Sequence, residues 1–219
     1  MKGKNKEFEV INSVQICQMT VGMVEVVSRV HMQGFKGAMN TRLGTSYVRK
    51  FLDWFVRLEG GITLVAILKT GGSEEIVGYV VGAPLGYGKA MNRELFWVAS
   101  WNAFIRPWLF LNNQFRGTIK ARLAALLQPS HERASKVDLP LPAMSLVGIA
   151  VIPNKQGQNI GKELLCAFEK RARDLHVRSL CLSVYLENSA ARHTYEKCGW
   201  VTCENSLSPG KAMAYYKKL

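Results

Sequence analysis

Apolar residues recur along this chain with two periods, and each period marks out its own elements. Over residues 9–20 the alternation of Val14, Ile16 and Gln18 on one face predicts a short strand. Val21, Val24, Val27 and Val30 then return at helical spacing, predicting a helix capped by Thr20 that runs to about Gln33. A stronger stripe of Val48, Phe51, Leu52, Phe55 and Val56 predicts a helix that opens at Thr45 and is stopped by Gly60-Gly61. Two apolar runs, 62–68 and 75–83, flank the polar, glycine-bearing stretch 69–73 and read as a hairpin.

Residues 85–140 break this rhythm. Phe96, Trp97, Trp101, Phe104, Trp108 and Phe110 crowd into 95–111, interrupted by Arg106-Pro107. A second amphipathic piece over about 115–127 sets Arg116, Lys120 and Arg122 opposite Ile119, Leu123 and Leu126, and 128–142 reads as a polar, proline-bearing linker. After it the pattern predicts a strand (144–151), a loop, a helix (about 159–175), a strand (180–186), a helix (189–198) and two closing strands (200–203 and 212–218). A strand, helix and strand with such short connections form a right-handed crossover, so two neighbouring strands should be parallel and the rest antiparallel.

The chain has 219 residues, ample for one domain with an insertion. Five scattered cysteines (Cys17, Cys166, Cys181, Cys198, Cys203) without CxxC spacing suggest reduced thiols in a cytoplasmic protein and no metal site. The N-terminus is basic but has no apolar signal-peptide run. A net charge of +13 suits an anionic partner, although solubility alone is the plainest reading. The basic residues form no dense block and no nucleic-acid motif, so no nucleic-acid partner is expected.

Two segments carry candidate chemistry. In the first, Ile149, Ala150 and Val151 lead into a loop and then a helix start, Gln156-Gly157-Gln158-Asn159-Ile160-Gly161-Lys162. A helix N-terminus offers unpaired N–H groups and partial positive charge, and Gly157 and Gly161 leave room for a close-lying anion. An ordinary strand-to-helix turn is the bland alternative. In the second segment Asn188 and Ser189 suit a helix start, Tyr195 follows two turns later, and Gly199 suits a left-handed end. A lone helical tyrosine is more often core than catalyst. Gly86-Tyr-Gly-Lys89 has the look of a phosphate loop, but Ala83 and Ala90 stand where Gly and Ser/Thr are required, so it reads as a turn at a strand end.

Together the two segments resemble the GNAT (GCN5-related N-acetyltransferase) superfamily. Residues 156–161 look like its pyrophosphate loop, Q/R-x-x-G-x-G/A, with Asn159 in place of the first loop glycine. Asn188, Ala191, Tyr195, Gly199 and Trp200 match its N-x-x-A-x-x-x-Y-x-x-x-G-F signature. The resemblance implies one α/β (α+β) domain over 1–219, with a mainly antiparallel mixed sheet, a parallel central strand pair and flanking helices. It does not account for the helical insertion at about 85–140. It implies an acyl-CoA-dependent N-acyltransferase, with acetyl-CoA or another acyl-CoA as co-substrate and no metal.

By carry-over, the backbone of Ile149, Ala150 and Val151 holds the pantetheine arm and polarises the thioester carbonyl. Residues Gln156, Gly157, Gln158, Asn159, Ile160, Gly161 and Lys162 hold the pyrophosphate, Asn188 contacts the pantetheine, and Tyr195 is the general acid. The strand 144–150 offers no carboxylate base, and Ser183 stands where relatives place a Glu. Glu187, His193 or water relayed through Ser183 or Tyr185 are the remaining candidates, His193 reading better as a surface residue. The acceptor expected is a small-molecule amine, such as an amino sugar or sugar nucleotide. Alternatives are a protein N-terminus or lysine, or a silent acyl-CoA-binding regulatory module.

The aromatic stretch 95–111 has three readings, the first preferred: core packed on the sheet or against a second subunit in a homodimer, a wall or lid of the acceptor pocket, or a helix pair at 93–122 touching a membrane surface. It is short for a transmembrane helix, and Arg106-Pro107 interrupts it.

Overall fold

The computed structural model describes residues 13–106, 139–203 and 212–219, together with positions 108 and 117. The amphipathic piece expected over 115–127 lies outside these residues, Gly117 aside, as does most of the 128–142 linker. Seven strands form one sheet: β1 (Ser13–Gln18), β2 (Ile62–Thr70), β3 (Ser73–Pro84), β4 (Ala143–Val151), β5 (Ser179–Tyr185), β6 (Val201–Thr202) and β7 (Ala212–Lys218). Their order is β1-β2-β3-β4-β5-β7-β6. Every neighbouring pair is antiparallel except β4 and β5, which are parallel.

The fully described helices are α1 (Val24–Gly34), α2 (Met39–Arg42), α3 (Thr45–Arg57), α4 (Tyr87–Phe104), α5 (Ile160–Asp174) and α6 (Ser189–Lys197). The valine stripe of α1 and the aromatic stripe of α3 bury Val27, Val30, Val48, Phe51, Leu52 and Phe55, the burial that amphipathic spacing is expected to drive. On the other face of the sheet, a Cβ added at Gly82 would come within 2.3 Å of the Phe168 ring, and one at Gly78 within 3.0 Å of Leu164 Cδ1. Helix α5 therefore rests on bare backbone. On the α1 side, a Cβ at Gly34 would stand 2.8 Å from that of Ala150, which brings the end of α1 onto β4.

Four expectations shift. Thr20 makes no side-chain cap bond, and the chain enters α1 through a 3-10 turn at Val21–Met23. The short α2 has no periodic signature and was not foreseen. The hairpin is tighter than expected: the ladder continues to Thr70↔Ser73, and Gly71 (φ 56°) and Gly72 (φ 90°) supply the two-residue turn that positive φ allows. Helix α4 begins at Tyr87, so of the turn expected over 86–89 only Gly86, at φ 89°, lies outside the helix.

Helix α4 also corrects one half of the preferred reading of the aromatic stretch, packing on the sheet, the other half being packing against a second subunit. It buries Met91, Leu95, Asn102 and Ala103, but leaves Phe96, Trp97, Trp101 and Phe104 exposed.

Candidate active site

Parallel pairing between β4 and β5 lasts for three positions, from Ala143↔Ser179 to Ser145↔Cys181. Beyond it β4 continues to Val151, held by β3 alone. The register of β3 on β4 slips between Val81 and Gly82, so Val147 is an extra residue. A bulge of this kind bends a strand, and here it lies where β4 parts from β5. The result is a wedge with an unpaired strand edge, offering backbone N–H and C=O groups to whatever fills it.

The wedge opens into a cleft of about 320 Å³. The end of β4 supplies Ile149, Ala150 and Val151. The loop and first turn of α5 supply Lys155, Gln156, Gly157, Asn159, Ile160, Gly161 and Lys162. Helix α6 contributes Asn188, Ala191, Thr194 and Tyr195, and the end of α1 contributes Gly34 and Phe35.

Two residues of the loop hold left-handed backbone, Gly157 at φ 78° and Asn159 at φ 62°, ψ 0°. Asn is among the few side-chain-bearing residues that tolerate this region. The turn they make sets the start of α5 on the cleft, and the first N–H groups of a helix lack an intrahelical partner. A Cβ at Gly157 would meet nothing within 4 Å, and one at Gly161 would meet only Val151 Cγ2 at 4.0 Å. The space beside both glycines is thus open rather than filled by protein. Gln156 turns back instead, its side-chain amide donating to the Val151 carbonyl at 3.0 Å, which ties loop to strand.

Asn188 caps α6, its side-chain oxygen accepting from the Ala191 N–H at 3.2 Å. Tyr195 is buried, its ring centroid 5.9 Å from Trp200 and 6.1 Å from Tyr215. Burial pushes its phenol well above the usual range, so it stays protonated. Trp200 is fixed in turn by the buried Glu169, which accepts from Trp200 Nε1 at 2.8 Å and from Lys217 Nζ at 2.6 Å. Titratable groups lining the cleft are Lys155, Lys162 and Tyr195, with no carboxylate among the described lining residues. Helix dipole and two ammonium groups make this end of the cleft electropositive.

Eleven of the twelve expected site residues meet in this one cleft. Gln158 does not line it; its side chain lies outside, with Nε2 3.5 Å from the Asn154 carbonyl. None of Ser183, Tyr185, Glu187 and His193, the candidate bases, lines it either, and all four are exposed. Sequence reasoning missed Lys155 and Thr194, which lie within the two segments, and also Gly34 and Phe35. The signal for the last two is an aromatic just past a helix end, which means nothing until α1 is seen resting on β4.

A sequence model of the acetyltransferase (GNAT) family matches residues 32–200. Among solved structures, the chain is similar to PaiA N-acetyltransferase from Thermoplasma acidophilum in complex with coenzyme A. That match has 14% identity and a TM-score of 0.57, covering 94% of this chain and 99% of the other. It is also similar to polyamine N-acetyltransferase from Drosophila melanogaster, which forms N-acetylagmatine (15% identity, TM-score 0.58, 94% and 100% covered). A third similar structure is the ribosomal-protein-S18-alanine N-acetyltransferase from Escherichia coli (14% identity, TM-score 0.52, 94% and 93% covered). Comparison with curated protein sequences returned no match.

Proposed function

Because the chain belongs to the acetyltransferase (GNAT) family and is an acetyltransferase of that type, we propose that it moves an acetyl group from acetyl-CoA to the amine of a small acceptor. The observation that supports this reading most is the join of three features in one cleft: the free edge of β4, the electropositive start of α5, and the protonated Tyr195. The residues present fit an acyl-CoA. Open space beside Gly157 and Gly161 accepts a pyrophosphate, Lys155 and Lys162 offset its charge, and the edge of β4 that faces away from β3, at Ile149 and the Val151 N–H, matches the amides of a pantetheine arm.

In the proposed reaction the amine nitrogen bonds to the thioester carbonyl carbon, the carbon–sulfur bond breaks, and the sulfur leaves as thiolate. A backbone N–H at the end of β4 stabilises the oxygen as charge gathers there. Tyr195 donates its hydroxyl hydrogen to the departing sulfur and is reprotonated by the proton the amine sheds. A phenol held well above its usual range keeps its proton in the resting enzyme, at the expense of driving force for giving it up. Much of the acceleration therefore falls to alignment of the two substrates along β4.

The cleft lacks a lining carboxylate or histidine among the described residues, so before attack an ammonium acceptor loses its extra proton to water or the amine arrives neutral; the proton shed after attack is the one that returns to Tyr195. Phe35, half-buried at the end of α1, offers an apolar wall on the acceptor side. These features favour a small amine acceptor, an amino sugar or sugar nucleotide among them. They favour it over a protein amine, and the chemical equipment argues against a silent module. The test is acceptor-dependent thiol release from acetyl-CoA across a panel of amino sugars, sugar nucleotides, polyamines, amino acids and peptides. Release with a small amine is expected. Release with peptides alone would overturn the acceptor class, and CoA binding without release across the panel would favour the silent module.

A further inference from the structure

The chain has five tryptophans. Trp54 and Trp200 are buried at 8% and 3% exposure, whereas Trp97, Trp101 and Trp108 are exposed at 77%, 64% and 60%. Phe104, at 75%, lies between them. Positions 97, 101 and 104 share one face of α4, and Arg93, one turn earlier and exposed, extends the same stripe with Lys89 near it.

The rotation of α4 about its axis is fixed from the inner side. Glu94 accepts from Trp54 Nε1 of α3 at 2.8 Å. Ser46 donates to the buried Asn102 at 2.7 Å, and Arg106 reaches the Leu43 carbonyl at 3.1 Å. A helix docked this way cannot roll its aromatic face inward. Glu94 is the only acid within α4 and is tied to α3, so the charges left on the stripe are cationic.

We propose that this stripe is a docking surface for an anionic phospholipid bilayer. Tryptophan beside arginine and lysine on an exposed helix face is the chemistry of the membrane–water interface, with rings at the headgroup level and cations on lipid phosphates. Charge complementarity selects this occupant over a second copy of the chain, since pairing two faces would bring two molecules of charge +13 and two sets of cations together. No described helix is long and apolar enough to cross a membrane, so the contact is a lateral one. Helices α4, α3 and α1 lie together, α4 against α3 and α3 against α1, and Phe35 at the end of α1 lines the cleft. The bilayer would thus meet the helical layer that borders the cleft. The inference stands independently of the acetyl transfer proposed above.

The test is co-sedimentation of the full chain with vesicles of phosphatidylcholine and with vesicles of equal parts phosphatidylcholine and phosphatidylglycerol. Binding is expected to the anionic vesicles, weakening as salt is added. Arg93→Gln and Lys89→Gln are each expected to lower the partition constant about five-fold. The triple variant Trp97→Ser/Trp101→Ser/Phe104→Ser, altered only at exposed positions, should abolish binding while keeping the wild-type circular dichroism spectrum and CoA affinity. No binding to anionic vesicles, or equal binding by the triple variant, would overturn the proposal. So would light scattering that shows a wild-type dimer, monomeric in the triple variant, with no vesicle binding.

Discussion

Asn159 is the one departure from the loop pattern, and its backbone makes the consequence calculable. It sits at φ 62°, ψ 0°, and its side chain makes no cap bond to the helix it precedes. Replacing it therefore deletes no capping interaction and changes chiefly the backbone preference. A left-handed conformation costs an ordinary L-residue roughly 1–2 kcal/mol, less for Asn and essentially nothing for Gly. For Asn159→Val we expect a total cost of about 1–2 kcal/mol, and for Asn159→Gly no cost in the folded loop.

That cost can appear in two places. If the loop keeps its shape without ligand, the whole of it lowers folding stability and CoA affinity is unchanged. If the Val loop relaxes in the free protein, stability is spared and the strain returns on binding, weakening CoA by roughly 5- to 30-fold. The two losses must sum to the same amount. Urea unfolding with calorimetric CoA titration of wild type, Asn159→Val and Asn159→Gly measures both. A Val variant matching wild type in stability and in affinity would show that the left-handed turn is not what shapes this site.

Three further outcomes follow from buried side chains. Tyr195→Phe keeps the ring contacts with Trp200 and Tyr215, so turnover should fall by about 100-fold or more with CoA affinity nearly unchanged in steady-state and titration assays; full turnover would remove Tyr195 from the reaction. Glu169→Ala leaves the buried Trp200 N–H without its acceptor and Lys217 with only the Cys198 carbonyl, and should cost about 2 kcal/mol in urea unfolding, whereas a loss under 1 kcal/mol would refute the brace. His31 is 4% exposed beside Tyr79, and burial lowers its pKa from 6.5 to about 4. Between those values the unfolded chain binds more protons, so stability should fall as the pH drops from 6.5 to 4. The loss relative to His31→Gln is up to about 3 kcal/mol, and parallel pH curves would count against it.

What was legible in the sequence is what is built locally. The loop from Gln156 to Gly161 and the helix from Asn188 to Tyr195 each complete their geometry within a few residues, so the two family-like motifs put Gln156, Gly157, Asn159, Ile160, Gly161, Asn188 and Tyr195 on one cleft. The β4–α5–β5 crossover follows from alternating periods in the same way. Where a choice depended on distant partners, spacing failed. Phe96, Trp97, Trp101 and Phe104 read as core, on the sheet or against a second subunit, because large apolar residues usually are, and within this chain they are exposed. Which face of α4 turns inward is decided by Trp54, Ser46 and Leu43, some 40 to 63 residues earlier in the chain.

The side of the cleft that we propose for the acceptor is hidden for the same reason. Phe35 joins the site because Gly34 lets α1 approach Ala150, and the wedge exists because β4 bulges at Val147 and leaves β5 after Ser145. Neither event has a local signature: a bulge is a mismatch between two strands, and a helix contact is a property of both surfaces. This asymmetry has a chemical counterpart. The donor side presents backbone groups and helix charge suited to any acyl-CoA, and so can be written as a short motif. The side we propose for the acceptor is set by side chains from α1 and β4 brought together by packing, so it is free to differ between proteins that share the motif. Assays that vary the amine and keep the acyl donor constant therefore probe the part of this molecule that is its own.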